Sequence, residues 1–329
     1  MGKRSSLQKI VRANNLVLII VTVIIILAFY SLNRHFLGIH NLRAIMFTVS
    51  TTGIIACGIG ILLISGNVDL AAGAEGAFVG IFAAILMRAD VPWPLALVLA
   101  LLMGIFCGAV NAFFVNVLNF MSFIATIALS FVWSGLAFII AGGLNIPIGQ
   151  GGFHQLAFLN IGPFPLPFII MVALFLLYGF ILTRTRFGRE IYMCGGNRAA
   201  ARLAGINMKR ITTVLFLNCG LLAGLAGCLV AAQSRLAAPG AVVGTEMSAI
   251  AAAILGGISF MGGKGSLFGV FIGLILINSF NVGLISAGFP TYWQITAQGA
   301  ILLAALLADA LTEKARLKSL VRKPSAGKE

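Results

Sequence analysis

Ten apolar stretches follow one another along the chain with little polar sequence between them: 16–32, 45–65, 70–87, 94–117, 121–142, 164–182, 211–233, 247–261, 266–287 and 292–311. About 20 apolar residues in helical form cross a hydrocarbon layer of roughly 30 Å. Inside that layer every backbone N–H and C=O must be satisfied within the protein, so such segments become helices. With 60% hydrophobic and 9% charged residues over 329 positions, an ordinary soluble domain is excluded. The expectation is an all-α integral membrane protein of about ten transmembrane helices with short loops. A single transmembrane domain fills 1–329, with 1–15 as an N-terminal segment, 183–210 as a polar loop and 312–329 as a tail. The stretch 247–261 is short for a span, and 45–65 and 70–87 are only a few residues apart. The count of ten turns on those two places.

The net charge of +14 would suit a nucleic-acid binder if it were concentrated on one folded face. Its placement points elsewhere. On the ten-span arrangement, 18 of the 22 Lys and Arg residues fall on one side of the membrane, and only Arg34, Arg43, Arg88 and Arg235 on the other. Short basic loops stay cytoplasmic, so both termini and the 183–210 loop are expected inside, with lipid rather than nucleic acid around the chain. The basic start and first apolar run resemble a signal peptide, but 16–32 leads into Tyr30–Arg34 without a small-residue cleavage site and reads as a retained helix. Cys57, Cys107, Cys194, Cys219 and Cys228 have no CxxC spacing, which argues against a disulfide framework or a zinc site.

The polar loop carries seven Lys/Arg (184, 186, 189, 198, 202, 209, 210) and one acid, Glu190. Within it, Arg198–Ile206 places small residues at Ala200, Ala201 and Ala204 and apolar ones at Leu203 and Ile206. That pattern predicts a short helix ending at Gly205. Gly188-Arg-Glu-Ile-Tyr192 followed by Gly195-Gly-Asn-Arg-Ala-Ala-Ala-Arg-Leu-Ala-Gly-Ile206 resembles the cytoplasmic loop of ribose-type sugar permeases of ABC importers. The resemblance implies the ABC importer permease fold in a bacterial inner membrane. It also implies that Gly195, Gly196, Asn197, Arg198, Ala200, Ala201, Arg202, Leu203, Gly205 and Ile206 form a coupling element seated in an ATPase subunit. The implied partners are separate ATPase subunits that bind the ATP, an extracytoplasmic solute-binding protein, and a second permease copy or paralogue.

Ser65-Gly-Asn-Val-Asp-Leu-Ala-Ala-Gly73 interrupts the apolar run from Ile45 to Met87. It is similar to the family's Ser-Gly-Gly-Ile-Asp-Leu-Ser-Val-Gly signature, with Asn67 in place of the second Gly and Ala71 in place of Ser. An acid in lipid is costly, so Asp69 faces a polar cavity or partner, or Asn67 or Asp69 caps the helix beginning at Leu70. Glu75 stands where a small or apolar residue is expected. Phe123-Ile-Ala-Thr126 and Gly244-Thr-Glu-Met-Ser-Ala-Ile-Ala-Ala252 are also similar to family elements; Glu246 reads either as the family's acid or as a solvated first-turn acid. Ser65, Asn67, Asp69, Phe123, Thr126, Asn278 and Gln294 are the candidates for a pathway or gate. The segments 53–76 and 249–269 echo each other, each a small-residue helix running into a glycine-marked turn, as repeated halves of transporters do.

No catalytic set emerges. His35, His40 and His154 map to outer loops without a metal-ligand spacing. Gly257 to Ser266 fails as a phosphate loop, because an extra Gly precedes Lys264 and apolar helices flank it. A secondary transporter would need an ion-coupling acid among Asp69, Glu75, Glu246 and Asp309, and would leave the docking-like loop without a role. A branched-chain amino-acid ABC permease is the nearer alternative to the sugar class. The orientation makes a direct prediction: single cysteines replacing Arg189 and Lys318 stay shielded from an external thiol label in intact cells, whereas one replacing His154 reacts.

Overall fold

A computed structural model describes residues 2–149, 151–290, 292–304 and 306–307; Asp309 and the tail 312–329 lie outside the described residues. The helices are α1 (Gly2–Leu32), α2 (Ile39–Ile64), α3 (Ala72–Arg88), α4 (Trp93–Asn116), α5 (Ser122–Ala141), α6 (Gln155–Phe158), α7 (Leu166–Arg184), α8 (Arg186–Gly196), α9 (Arg198–Leu203), α10 (Met208–Ser234), α11 (Thr245–Leu255) and α12 (Leu267–Ser286). A further helix covers 292–304. Two short antiparallel ribbons complete the description: β1 (Ile146–Pro147) pairs with β4 (Leu236–Ala237), and β2 (Asn160–Ile161) with β3 (Phe164–Pro165).

Among the described residues six helices, α2, α4, α5, α7, α10 and α12, are long and apolar enough to cross a membrane by themselves. Of the remaining apolar segments, 16–32 lies within the 31-residue α1 and two are shorter helices. The apolar part of α1 covers Leu18–Leu32, α3 has 17 residues and α11 only 11. At 1.5 Å per residue α11 is about 16 Å long, roughly half the hydrocarbon layer. The segment 247–261 is therefore not a continuous crossing helix. Its C-terminal part leaves the helix at Gly256 and turns through Gly257, Gly262, Gly263 and Gly265, all with positive φ. The segments 45–65 and 70–87 are separate helices, as read from the sequence, joined by a break at 65–71.

α2 and α10 form the centre. α10 packs on α2, α3 and α4, while α2 also meets α7, α11 and α12. α4, α5 and α7 are peripheral and present large apolar side chains outward, Phe131, Ile139 and Leu176 among them. In lipid such faces gain nothing by meeting each other, so close backbone packing has to hold the helices together. The two Gly-xxx-Gly pairs of α4 and α10 meet face to face: a Cβ on Gly220 would stand 2.2 Å from Gly104 O, and one on Gly108 2.2 Å from Phe216 O. The third pair serves α12 against α11, where a Cβ on Gly269 would stand 1.9 Å from Gly256 O.

The obstacle at Gly220 is backbone and cannot rotate away. Gly220→Val is expected to cost about 2–3 kcal/mol by overpacking and to lower the thermal midpoint of the detergent-purified protein. Gly135→Ala, in open space, leaves it unchanged or raises it.

Candidate coupling and pathway site

The polar loop folds into two capped helices, α8 and α9, that meet at Asn197. Thr185 Oγ1 accepts from Gly188 N at 3.1 Å to start α8, and Asn197 Oδ1 accepts from Ala200 N at 3.0 Å to start α9. α9 ends where the sequence places the stop, with Gly205 at φ +74°. Ala201 is fully buried and Leu203 is 91% exposed, so α9 rests on the body of the protein through its alanine and turns leucine outward. Ile206, the other apolar residue of the pattern, is half-buried and packs against the protein's own core. Arg198 and Arg202 remain exposed on the surface.

Three motifs that are far apart in sequence meet under this loop. The end of α2, the end of α8 and the turn after α11 interlock through glycine backbone. Gly263 N donates to Ile64 O at 2.8 Å, and a Cβ on Gly195 would lie 2.0 Å from the same oxygen. A Cβ on Gly262 would lie 2.8 Å from Gly66 Cα. Arg198 Nη2 donates to Gly66 O at 3.0 Å, and Tyr192 OH donates to Gly265 O at 2.8 Å. Burial pushes the Tyr192 phenol up, which keeps it a donor at neutral pH. The two echoed segments thus touch each other at their breaks, directly below the loop.

The break itself is unwound backbone inside the protein, and neighbouring side chains meet several of its polar groups. Ser65 Oγ donates to Leu62 O at 2.7 Å and Asn67 Nδ2 to Ser65 Oγ at 3.1 Å. Val68 N donates to Ser122 Oγ at 3.3 Å and Leu70 N to Thr126 Oγ1 at 3.0 Å, both hydroxyls on the first turn or two of α5. Neither capping option is used: α3 begins at Ala72 with Ala71 at its N-cap and no side-chain cap, and Asp69 Oδ1 instead accepts from Ala71 N at 2.9 Å in the turn before the helix. Asp69, Glu75 and Asn111 are all fully buried, and Asn111 Nδ2 donates to Glu75 Oε1 at 2.7 Å. Glu246 is buried as well, not solvated; its carboxylate accepts from Gly244 N at 2.9 Å and lies against Gly73 at the start of α3.

A cavity of about 450 Å³ opens between the break, the α4–α5 turn and the loop. Ser65, Asn67, Asn116, Asn119, Ser122 and Thr212 give it hydroxyl and amide groups, Arg198, Arg202 and Lys209 give it positive charge, and no carboxylate lines it. The sequence-derived pathway candidates divide accordingly. Ser65 and Asn67 line the cavity, while Asp69 and Thr126 brace the break behind it. Phe123 is exposed on α5, Asn278 returns its amide to Leu274 O of its own helix, and Gln294 sits on the 292–304 helix. Other membrane amides bridge helices, as Asn116 does to Lys209 O and Thr213 on α10. The Asn111–Glu75 contact was not read from the sequence, although an acid and an amide in adjacent apolar segments are visible there.

The family described as the permease component of branched-chain amino acid transport systems matches residues 41–306. The chain belongs to that family. The stretch matched includes the break, the loop and the glycine node. Relatives include the probable ABC transporter permease protein YphD of Escherichia coli (strain K12), 34% identical over 94% of both chains. The ribose import permease protein RbsC of the same organism is 34% identical over 88% of this chain and 92% of its own. The D-allose transport system permease protein AlsC is 35% identical over 88% and 90%.

Thr126 is the prediction that this geometry makes. Thr126→Val keeps the shape and removes the acceptor of the buried Leu70 N–H, an expected loss of about 1–3 kcal/mol. Thr126→Ser retains the oxygen and should recover most of that stability in the same unfolding assay.

Proposed function

We propose that this permease is the membrane subunit of an ABC importer that passes a sugar or related small polar solute inward. The observation that carries the reading is the likeness to permeases named for ribose and D-allose, which extends over 88% of the chain and includes the 195–206 loop. The cavity chemistry agrees with it. Hydroxyls and amides suit a neutral polyhydroxylated solute, whereas a zwitterionic amino acid would lack a carboxylate for its ammonium group. Branched-chain amino acids remain the second reading, because the family description names them.

In this reading the chain has about ten membrane segments, the one containing α11 crossing with only part of its length helical, and both termini are cytoplasmic. The loop end faces the cytoplasm because the basic residues gather there, and the β1–β4 end faces the binding protein. A second copy or a paralogue completes the pathway, and separate ATPase subunits seat α8 and α9. Force on α9 reaches the break through Arg198 and Gly66, and reaches α2 and α11 through the glycine node. Solute then moves by exchange between outward-open and inward-open packings.

The test is a reconstituted importer containing the cognate ATPase and binding protein. A neutral monosaccharide is expected to stimulate ATP hydrolysis and uptake where leucine does not; stimulation by leucine alone selects the second reading. Ala201→Pro removes the Ala201 N to Asn197 O bond of 2.9 Å and disrupts α9 at a cost of about 3 kcal/mol. Membrane insertion should survive while solute-stimulated hydrolysis and uptake are lost together. Normal coupling in that variant would make the loop a mere connector.

A further inference from the structure

Asn111 of α4 stands between two carboxylates with only one amide nitrogen to offer. Its Nδ2 donates to Glu75 Oε1 at 2.7 Å and reaches Asp69 Oδ1 and Oδ2 at 3.2 Å each. Asp69 is thereby supplied at both oxygens, with the Ala71 N–H as an additional donor to Oδ1. Glu75 is not. Its Oε2 has no partner, and neither does Oδ1 of Asn111, both atoms lying in fully buried residues. Among the described residues no Lys or Arg lies within salt-bridge distance of either carboxylate.

An ionised carboxylate with a bare oxygen is among the most expensive groups to bury. The two orphaned atoms are both acceptors, and they belong to groups already joined by the Nδ2–Oε1 bond. One proton resolves both. On Glu75 Oε2 it turns that oxygen into a donor, and the amide carbonyl on the same Asn111 is the unused acceptor.

We propose that Glu75 is a proton-binding site, its Oε2 carrying a proton donated to Asn111 Oδ1 to close a cyclic carboxyl–amide pair that pins α3 to α4 beside the break. The proton belongs on Glu75 because Asp69 already has donors at both oxygens. A metal ion is the weaker occupant, since no group of three His, Cys, Asp or Glu among the described residues is placed to hold one. The other titratable groups within electrostatic reach are Asp69, Cys107 on α4, Cys219 on α10 and, acting on Asp69, Glu246 on α11; α5 brings none. All are acids or thiols, so none supplies a compensating positive charge. The inference rests on the fold and holds whichever solute the permease carries.

The sign of the pH effect follows from proton counting. Glu75 is ionised in the unfolded chain at neutral pH and protonated in the folded one, so the folded state binds one more proton and stability falls as pH rises. Infrared spectra of the full-length permease in lipid nanodiscs test this. At neutral pH the wild type is expected to show a protonated-acid carbonyl band that shifts when the glutamate carboxyls carry a heavy carbon isotope. Glu75→Gln, close in shape to the protonated acid, loses the band and flattens the decline of the unfolding midpoint between mildly acidic and mildly alkaline pH. Glu246→Gln keeps the band. No label-sensitive acid band in the wild type overturns the proposal without reliance on any variant folding. Persistence of the band in Glu75→Gln also overturns it, as does a midpoint raised by sodium but indifferent to pH, which would place a cation at the pair.

Discussion

The chain has largely buried, unwound backbone at 65–71, and much of the architecture around the candidate site answers the demand this creates. A helix satisfies its own N–H and C=O groups; a break cannot. Here the missing partners come from three directions. α5 lends the hydroxyls of Ser122 and Thr126, the break's own Asp69 accepts from Ala71 N, and Arg198 arrives from the polar loop to bind Gly66 O. A hydrogen-bond requirement in one short segment therefore links α2, α3, α5 and α9.

Close backbone contact is the second element. The glycines of α4, α10, α11 and α12 let helices approach until carbonyl oxygens stand where a Cβ would be, which gives dispersion contact over a long seam. At the loop the same device does something different. Gly66, Gly195, Gly196, Gly262 and Gly263 bring three chain reversals into direct contact, with Gly263 N bonded to Ile64 O. Seams of this kind stiffen helices. The node at their ends holds the three reversals backbone to backbone, with no side chain between them.

In the importer proposed above, this arrangement is the route by which a partner ATPase would act on the chain. α9 presents exposed Leu203 outward and buried Ala201 inward, so pressure on its outer face passes to the body rather than being lost in a loose loop. From there the Arg198–Gly66 bond and the glycine node lead to the break and to the short helix α11. Both are places where the helix is already interrupted and repacking is least costly. The polar cavity lies between these same parts.

Much of this was legible in the residues themselves. Apolar length and the density of basic residues in 183–210 determined a membrane protein with a polar loop, because those properties depend on composition over windows of chain. The stop at Gly205 and the presence of a break at Asp69 were likewise readable, since each is a local rule acting over three or four residues. The tertiary structure alone decided that α11 stops at half the membrane thickness, that Ile206 turns inward, and that Glu246 is buried against Gly73. It alone brought Gly66, Gly195 and Gly262 together and placed Asn111 against Glu75. These depend on which helix lies beside which, and in a chain where nearly every helix is apolar on all sides, the hydrophobic pattern does not mark the face that meets a partner.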